Sequence, residues 1–294
     1  MIEEPPSRAG NGDDGFDEPF LVAASLSGEA DAAWACAASA HVDAAILGGI
    51  ALDSPSRAAA RELVARDRSE FLPDSPIRFL DEQLSALEDA PVRPGFNLRS
   101  ASADPIREAA AACADHGAVA EINAHCRQPE LRAAGCGESL LTDVQRLRAY
   151  VAAAAEAGAT TSVKVRTEVP GVDLVAVAET VAAAGGDWLH VDAMDSEPVV
   201  ADLRAAIDDR DLGLVLVANN GVRGPETVAE YAAYGADAVS VGRPTQPGFD
   251  PAVLGTVADA VADWRAGSLD HDGGRPTIEG DTPSRTTGRT RGRR

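Results

Sequence analysis

The sequence predicts a single-domain (β/α)8 barrel, the TIM-barrel fold. The chain has 294 residues, which suffices for one barrel of roughly 250 residues. Eight short β-rich runs alternate with alanine-rich helical runs along it. No G-x-G-x-x-G pattern follows the first β-rich run, whereas an open doubly wound sheet that binds a dinucleotide carries one there. These observations favour the closed barrel over the open sheet.

The strand prediction rests on runs of branched apolar residues. Several of these runs are apolar at nearly every position, which is typical of parallel strands that helices cover on the outside. The predicted strands are residues 20–25, 44–48, 95–98, 119–123, 162–166, 188–191, 214–218 and 238–241.

Alanine-rich segments between the strands carry signals for the start and the end of helices. Ser27 is the predicted cap of the first helix. Pro105 and Pro225 suit a first helical turn, because the N–H that proline lacks is unpaired there in any case. Glycines follow several of the segments, as expected where a helix ends in a left-handed residue. The predicted helices are residues 28–39, 56–66, 105–115, 142–157, 174–183 and 225–234.

The chain is strongly acidic and poor in aromatic residues. It carries 47 Asp and Glu against 26 Lys and Arg, a formal net charge of −21. That excess argues against non-specific binding of nucleic acid at ordinary salt, because phosphate contacts need cations. We interpret it as a halophilic surface, which in molar salt, where the Debye length is roughly 3 Å, can still approach a polyanion. The composition excludes collagenous, disulfide-rich and wholly disordered classes.

The two ends of the chain differ in composition from the middle. Residues 1–18 are acidic and unlike a secretory signal, and residues 266–294 are poor in apolar side chains, so we expect both to be disordered and assign the barrel to 19–265. The tail ends in an arginine-rich stretch that we interpret as a solvated end: Arg285, Arg289, Arg291, Arg293 and Arg294. No apolar run approaches the roughly 18–20 residues that span a bilayer. We expect a cytoplasmic protein with reduced cysteines, whose spacings fit no zinc site.

Polar residues fall at the carboxyl ends of the predicted strands, where barrel enzymes place their chemistry. Because these ends meet at one mouth, side chains that are distant in sequence are expected to converge there. The candidate site residues are Asn97, Asn123, Cys126, Lys164, Arg166, His190, Asn220, Gly221, Gly242 and Arg243.

Three of these features have a direct chemical interpretation. Asn220–Gly221 and Gly242–Arg243 follow the seventh and eighth strands, the usual phosphate site of such barrels, and can present bare backbone N–H groups. Lys164 is the only lysine in the chain. Deep in a barrel mouth, a lysine can stabilise a reduced flavin or form a Schiff base. The thiol of Cys126 can act as a nucleophile or as a general acid.

Four segments, in order along the chain, resemble motifs of one enzyme family. Residues 121–141 read EINAHCRQPELRAAGCGESLL. An Asn three residues before a Cys, followed by a G-x-G and a Leu pair, resembles the signature of tRNA-dihydrouridine synthases. Three further segments are similar to that family's V-K-I-R, N-G-D and G-A-D-x-V-x-I-G-R elements: VKVR at 163–166, NG at 220–221 and GADAVSVGR at 235–243.

The resemblance implies an FMN barrel that reduces the C5–C6 bond of uridine in tRNA, with NADPH or NADH reducing the flavin. By position, Cys126 is the proton donor and Asn123 holds the uracil. Lys164 contacts the flavin, and Arg166 lines the site. Asn97 takes the position of a flavin-contacting Gln. The residues implied for the FMN phosphate are Asn220, Gly221, Gly242 and Arg243.

The chain departs from the family pattern at several positions. The residues flanking Cys126 differ from the family's Met-Gly before the cysteine and Pro after it. The family's strand-six His falls on Asp192, and an acid cannot replace a cation that binds phosphate. His190, two residues earlier on the same strand face, is the candidate to replace it. The family's C-terminal helical tRNA-binding domain is not evident after the predicted barrel.

Two other functions follow from these departures. The first is an FMN-dependent oxidoreductase that acts on a small molecule, such as a free pyrimidine or a dihydroorotate-like acid. The second is a barrel without redox chemistry that serves as a binding or scaffold protein. A cluster of arginines around the mouth would favour tRNA over a small molecule, because RNA is a polyanion.

Overall fold

The chain forms a closed barrel of eight parallel strands, which confirms the predicted (β/α)8 fold. The structure, a computed structural model, describes residues 19–246 and 251–269. Neighbouring strands pair in sequence order, and the last strand pairs with the first to close the barrel. The strands are β1 (Phe20–Ala23), β2 (Ala44–Ala51), β3 (Arg93–Arg99), β4 (Val119–Asn123), β5 (Thr160–Arg166), β6 (Trp188–Asp192), β7 (Val215–Asn219) and β8 (Ala238–Val241).

Helices alternate with the strands and cover the outside of the barrel. They are α1 (Ala32–Ala38), α2 (Ser54–Val64), α3 (Pro76–Ser85), α4 (Ala103–Asp115), α5 (Pro129–Ala133), α6 (Val144–Glu156), α7 (Leu174–Ala183), α8 (Val199–Asp209), α9 (Pro225–Ala233) and α10 (Pro251–Arg265). The predictions for α2, α4, α6, α7 and α9 hold to within two residues at each end. The sequence analysis did not assign α3, α5, α8 or α10.

The first helix begins later than predicted, and Asp31 rather than Ser27 caps it. The Asp31 carboxylate accepts a hydrogen bond from the backbone N–H of Trp34 at 2.9 Å. Gly28 has a φ of +69°, and a Cβ at that position would lie 2.5 Å from the backbone N of Glu70. The chain therefore makes a tight turn against residues 69–70 before α1 starts.

Apolar side chains form two main layers, one on each face of the barrel wall. The larger layer lies between the strands and the helices. The smaller one fills the amino-terminal half of the barrel interior with Phe20, Val22, Ala44, Ile46, Val119, Trp188, Val217 and Ala238. Side chains alternate along a strand, so the next inward positions lie nearer the mouth. Buried polar residues occupy them: Asn97, Glu121, Asn123, Ser162, Lys164, His190 and Ser240.

The predicted end segments lie almost entirely outside the described residues. This applies to residues 1–18 and to residues 270–294 with their arginine-rich stretch. Leu269, just before the second of these segments, packs against the core. Within the described ranges, no helix combines the length and the apolar character that crossing a membrane requires.

Candidate functional site

An open cavity of about 720 Å³ lies at the carboxyl end of the barrel. Ligand sites have volumes of roughly 300–1,000 Å³. Residues that end or follow β1, β4, β6, β7 and β8 line the cavity, together with one side chain of β5. The sequence-predicted residues among them are Lys164, Asn220, Gly221, Gly242 and Arg243. The structure thus brings the lysine and both predicted phosphate turns to one cavity.

The cavity is cationic although the chain as a whole is acidic. Lys164 and three exposed arginines, Arg127, Arg223 and Arg243, line it together with the carboxylate of Asp192. In the part of the chain that the structure describes, none of the three arginines forms an ion pair with a carboxylate. With a net charge of −21 over the chain, a group of unpaired cations at one cavity indicates an anionic ligand.

Lys164 lies inside the barrel below these arginines. The residue is 3% exposed, and its neighbours across the sheet are Asn123 on β4 and His190 on β6. Among the described residues, no protein acceptor lies within hydrogen-bonding distance of its Nζ. The ammonium group of Lys164 lines the open cavity and has its hydrogen bonds available for a ligand that supplies an electron-rich atom.

Two turns after β7 and β8 present bare backbone to the cavity. Asn220 and Gly221 have φ angles of +103° and +67°, and the Asn220 side chain stabilises the turn by donating to the carbonyl oxygen of Met194 at 2.6 Å. A Cβ at Gly221 would meet no atom within 4 Å, and one at Gly242 would approach Leu26 at 3.9 Å. Within the described residues, no protein group accepts a hydrogen bond from the backbone N–H of either glycine. Open space beside free N–H groups suits a phosphate.

A buried carboxylate organises the polar interior below the cavity. Glu121 Oε1 accepts a hydrogen bond from Asn97 Nδ2 at 2.7 Å, and its Oε2 lies 2.6 Å from His190 Nδ1. Burial opposes ionisation of Glu121, but the interaction with His190, the charge of Lys164 and the hydrogen bond from Asn97 outweigh burial and lower its pKa to about 2. Glu121 is therefore ionised at neutral pH and holds His190 with its Nδ1 protonated.

His190 uses both ring nitrogens inside the barrel. Its Nε2 lies 2.7 Å from Ser240 Oγ, while Nδ1 faces Glu121. Burial and the nearby Lys164 lower the pKa of His190, so the ring is neutral at neutral pH. His190 does not line the cavity. It therefore has no free nitrogen with which to replace the family's phosphate-binding histidine as predicted.

Asn97, Asn123 and Cys126 form a hydrogen-bonded chain that leads to the loop after β4. Asn123 Nδ2 donates to Asn97 Oδ1 at 2.7 Å and to Cys126 Sγ at 3.1 Å, and the Cys126 backbone N–H donates to Asn123 Oδ1 at 3.1 Å. Asn123 thus fixes the position of the thiol. Asn97 is fully buried behind it, so it supports Asn123 and Glu121 and does not line the cavity.

A second cavity of about 380 Å³ adjoins the first. Asn123, Cys126 and Arg99 line it, and His125 lines both cavities. Burial, reinforced by the positive charge of Lys164, lowers the pKa of His125 well below its ordinary value, so a neutral imidazole stands between the two cavities. Cys126 and Lys164 therefore lie at the same end of the barrel but in adjoining cavities.

Arg166 does not line either mouth cavity. Its guanidinium forms an ion pair with Glu138 Oε2 at 3.3 Å, and its Nε donates to the carbonyl oxygen of Thr167 at 3.3 Å. Glu138 also pairs with Arg132 at 3.0 Å. This ion pair holds Arg166 against the loop that follows β4, away from the position that the sequence analysis expected.

The sequence analysis gave no role to Glu121 or Ser240. A signal for both is present, because each lies on a strand two residues before a predicted site residue: Glu121 before Asn123, and Ser240 before Gly242, which directly follows β8. Alternation along a strand places such residues on one face. The three arginines were likewise not predicted as a group, since they come from loops after three different strands.

Comparisons of sequence give one informative relative. No family model matches the chain. An uncharacterised protein of Methanocaldococcus jannaschii is 27% identical over 209 residues, which cover 67% of this chain and 78% of that protein. The resemblance to dihydrouridine synthases stays a prediction.

Comparisons of structure show the fold. DHODH of Eimeria tenella without ligand superposes with a TM-score of 0.59 at 15% identity, over 85% of this chain and 86% of that one. The same enzyme in complex with ferulenol gives a TM-score of 0.58 at 14% identity, over 85% and 82% of the two chains. A mutant of FabK from Thermotoga maritima gives 0.50 at 14% identity, over 76% and 61%. The chain is a TIM barrel similar to these enzymes in architecture.

Proposed function

We propose that this protein is an FMN-dependent oxidoreductase that reduces the C5–C6 bond of uridine in tRNA, with NADPH or NADH as the reductant. One observation carries the proposal: two glycine turns, the sole lysine and three unpaired arginines line a single cavity of a strongly acidic chain. The flavin follows from the resemblance of the sequence motifs, and DHODH and FabK share the barrel architecture.

The residues of the larger cavity fit a phosphorylated flavin. The free N–H groups of Gly221 and Gly242, with Arg223 and Arg243 beside them, would hold the phosphate. Lys164 would contact the flavin ring and stabilise negative charge on it. When bound, FMN would supply hydride transfer, whereas the protein supplies binding, orientation and a proton.

The adjoining cavity carries the groups that a uracil ring requires. Cys126 would protonate the ring, since Asn123 Nδ2 holds its thiol at 3.1 Å and a cysteine side chain can act as a general acid. The second cavity shares His125 with the first, so a base bound there would border the flavin cavity. A uridine in folded tRNA would have to be extruded from its stack to reach it.

The exposed arginines favour RNA over a small substrate. Arg127, Arg223 and Arg243 surround the larger cavity, and Arg68 lines the second one. Phosphates of a polynucleotide that approaches the mouth would meet these side chains, which supply the electrostatic part of RNA binding. Because the affinity depends on salt, we expect tRNA binding to weaken as the salt concentration rises.

Formation of dihydrouridine tests the proposal. The purified protein is incubated with FMN, NADPH or NADH, and a tRNA transcript that contains no modified bases, and the digested RNA is analysed by mass spectrometry. We expect dihydrouridine to form only when protein, FMN and reductant are all present. Parallel reactions contain uridine monophosphate or free uracil. If only uridine monophosphate or free uracil is reduced, the substrate is a small pyrimidine and not tRNA. If neither these molecules nor the tRNA is reduced, the protein does not reduce uracil.

A further inference from the structure

Ser240, His190 and Glu121 form a continuous hydrogen-bonded chain from the larger cavity into the barrel. Ser240 lines that cavity. Its Oγ lies 2.7 Å from His190 Nε2, and His190 Nδ1 lies 2.6 Å from Glu121 Oε2. Hydroxyl, imidazole and carboxylate follow one another here as in the catalytic triads of serine hydrolases, which recur on unrelated folds and are recognised by geometry and role.

The protons of this chain can be assigned from its partners. Glu121 is ionised and can only accept, so His190 donates its Nδ1–H to it. The neutral imidazole then has a lone pair on Nε2, and Ser240 must donate its O–H there. Asn219 Nδ2 donates to Ser240 Oγ from the other side. The serine hydrogen is thus directed to a base, and the oxygen keeps a lone pair for a ligand.

We infer that Ser240 is a nucleophile that takes up the acyl group of an anionic ester bound in the larger cavity. This activity goes beyond the proposed flavin function. Ser240 Oγ forms a bond to the ester carbonyl carbon while its proton passes to His190 Nε2. The C–O bond to the leaving alcohol then breaks, and its alkoxide takes a proton from a water molecule in the open cavity, because His190 itself does not line that cavity. The hydroxide that remains attacks the acyl-serine carbonyl carbon, the Oγ–C bond breaks, and Ser240 Oγ takes its proton back from His190. The sequence needs no oxidant or reductant.

The same cavity defines the class of ester. The cations Lys164, Arg127, Arg223 and Arg243 line it, so a substrate that carries a phosphate group is favoured over a neutral ester. Lys164 also offers a cation to the negative charge that develops on the carbonyl oxygen. A neutral ester would leave the arginines without a partner.

Labelling with diisopropyl fluorophosphate tests the inference. In this probe the P–F bond breaks as the Oγ–P bond forms, and the full chain, freed of flavin, is analysed by intact mass and peptide mapping. We expect one adduct on Ser240. Ser240→Ala should abolish it, and His190→Asn should slow it about 100-fold or more, since a general base contributes roughly 10²–10⁴-fold. Two matched controls should label at the wild-type rate: Ser196→Ala, whose serine bonds to Glu168, and His116→Asn, whose histidine bonds to Asp81.

An absence of adduct on Ser240 in the folded wild-type protein would overturn the inference, as would equal labelling rates for wild type and His190→Asn. Inorganic phosphate at millimolar concentration should slow the labelling of Ser240 if the arginines hold an anion above it. An unchanged labelling rate would contradict the inference that the substrate is anionic. FMN binding is measured separately on the same preparation, so the result for the Ser240 nucleophile and the result for the flavin site are independent of each other.

Discussion

At the residue scale, the position of the Cys126 thiol predicts that its substitution affects the reaction rate and not the affinity for FMN. Cys126 borders the smaller cavity and does not line the larger one. We therefore predict that Cys126→Ala keeps its FMN affinity but loses about 10²–10⁴-fold in dihydrouridine formation, the usual contribution of a general acid. Flavin titration and single-turnover assays measure the two effects. Cys136→Ala is the control, because burial raises the pKa of that thiol to about 12 and it lines neither cavity; equal loss in both variants would refute the role of Cys126.

Glu121 gives the barrel interior a definite dependence on pH. Its pKa is about 2 in the folded protein, against 4.5 ordinarily. A lowered pKa contributes stability that is present above the ordinary value and is lost as the pH falls toward the folded value. We predict that Glu121→Gln is less stable than wild type at pH 7 by roughly 3 kcal/mol, because Gln mimics the protonated carboxyl and each unit by which the pKa is lowered is equivalent to about 1.4 kcal/mol.

Urea unfolding between pH 7 and pH 3 measures this difference. The difference in the free energy of unfolding between wild type and Glu121→Gln should narrow below about pH 4.5. In that range the Glu121 carboxyl binds a proton in the unfolded wild-type chain but stays ionised in the folded one. Two curves that stay parallel over this range would contradict the assignment of Glu121 as the ionised centre of the network.

Some of these residues could be predicted from the sequence and others could not. Lys164 was assigned to the mouth because it lies near the end of a predicted strand and because it is the only lysine in the chain. Arg166 shares that strand face, but an ion pair with Glu138, on the loop after β4, turns it away. Strand alternation gives the face of a residue and carries no information about a partner from another loop. The pairing of His190 with Glu121 was hidden for the same reason, since the two lie 69 residues apart.

At the scale of elements, the turn after β7 can be tested against an equivalent turn elsewhere. Gly221 and Gly158 have φ angles of +67° and +87°, and a Cβ at either would meet no atom within 4 Å. Gly158 follows α6 and does not line the larger cavity. Substitution by Ala should cost each about 1–2 kcal/mol of stability, because alanine is strained in the left-handed region.

The two glycine variants should differ in binding. Gly221→Ala places a methyl group beside the proposed phosphate and should weaken FMN binding at least about tenfold, or 1.4 kcal/mol. Gly158→Ala should bind FMN as wild type does. Thermal unfolding and flavin titration of both proteins give the comparison. Similar FMN affinities in the two variants would contradict the assignment of the turn after β7 to the phosphate site.

The elements themselves were predictable to different degrees. Apolar runs located all eight strands, since parallel strands buried on both faces have an unmistakable pattern. Helix α3, which contains no alanine, was missed. In α3 the buried face consists of Leu80 and Leu84, spaced four residues apart. That spacing is a helix signal, and a search for periodicity rather than for alanine content would have found it.

At the scale of the whole molecule, the net charge of −21 predicts a response to salt. Mutual repulsion of like charges destabilises the compact state, and the Debye length falls from about 10 Å at 0.1 M salt to about 3 Å at 1 M. We predict that the melting temperature rises by several degrees between 0.1 M and 2 M KCl. An equal concentration of sucrose serves as the control for excluded-solute effects. A melting temperature that stays flat or falls in KCl would contradict a halophilic surface.

A comparison of low and high KCl concentrations also distinguishes repulsion among the surface carboxylates from attraction between the mouth arginines and a polyanion. Salt that stabilises the fold should weaken the binding of a polyanion to the arginines that surround the cavity, because both effects arise from screening. A protein that gains stability in salt while losing affinity for tRNA would show both parts of this charge distribution.

Titration of the full-length protein with FMN tests the central claim most directly. Quenching of flavin fluorescence is followed for wild type and for Lys164→Met, which removes the buried cation of the cavity without breaking a protein hydrogen bond that the structure describes. The account predicts one FMN per chain with a dissociation constant of about 1 μM or lower, equivalent to about 8 kcal/mol. It also predicts at least about tenfold weaker binding in the variant, with circular dichroism showing that the variant is folded. Absence of binding by folded wild-type protein, or equal affinity in the two proteins, would contradict it.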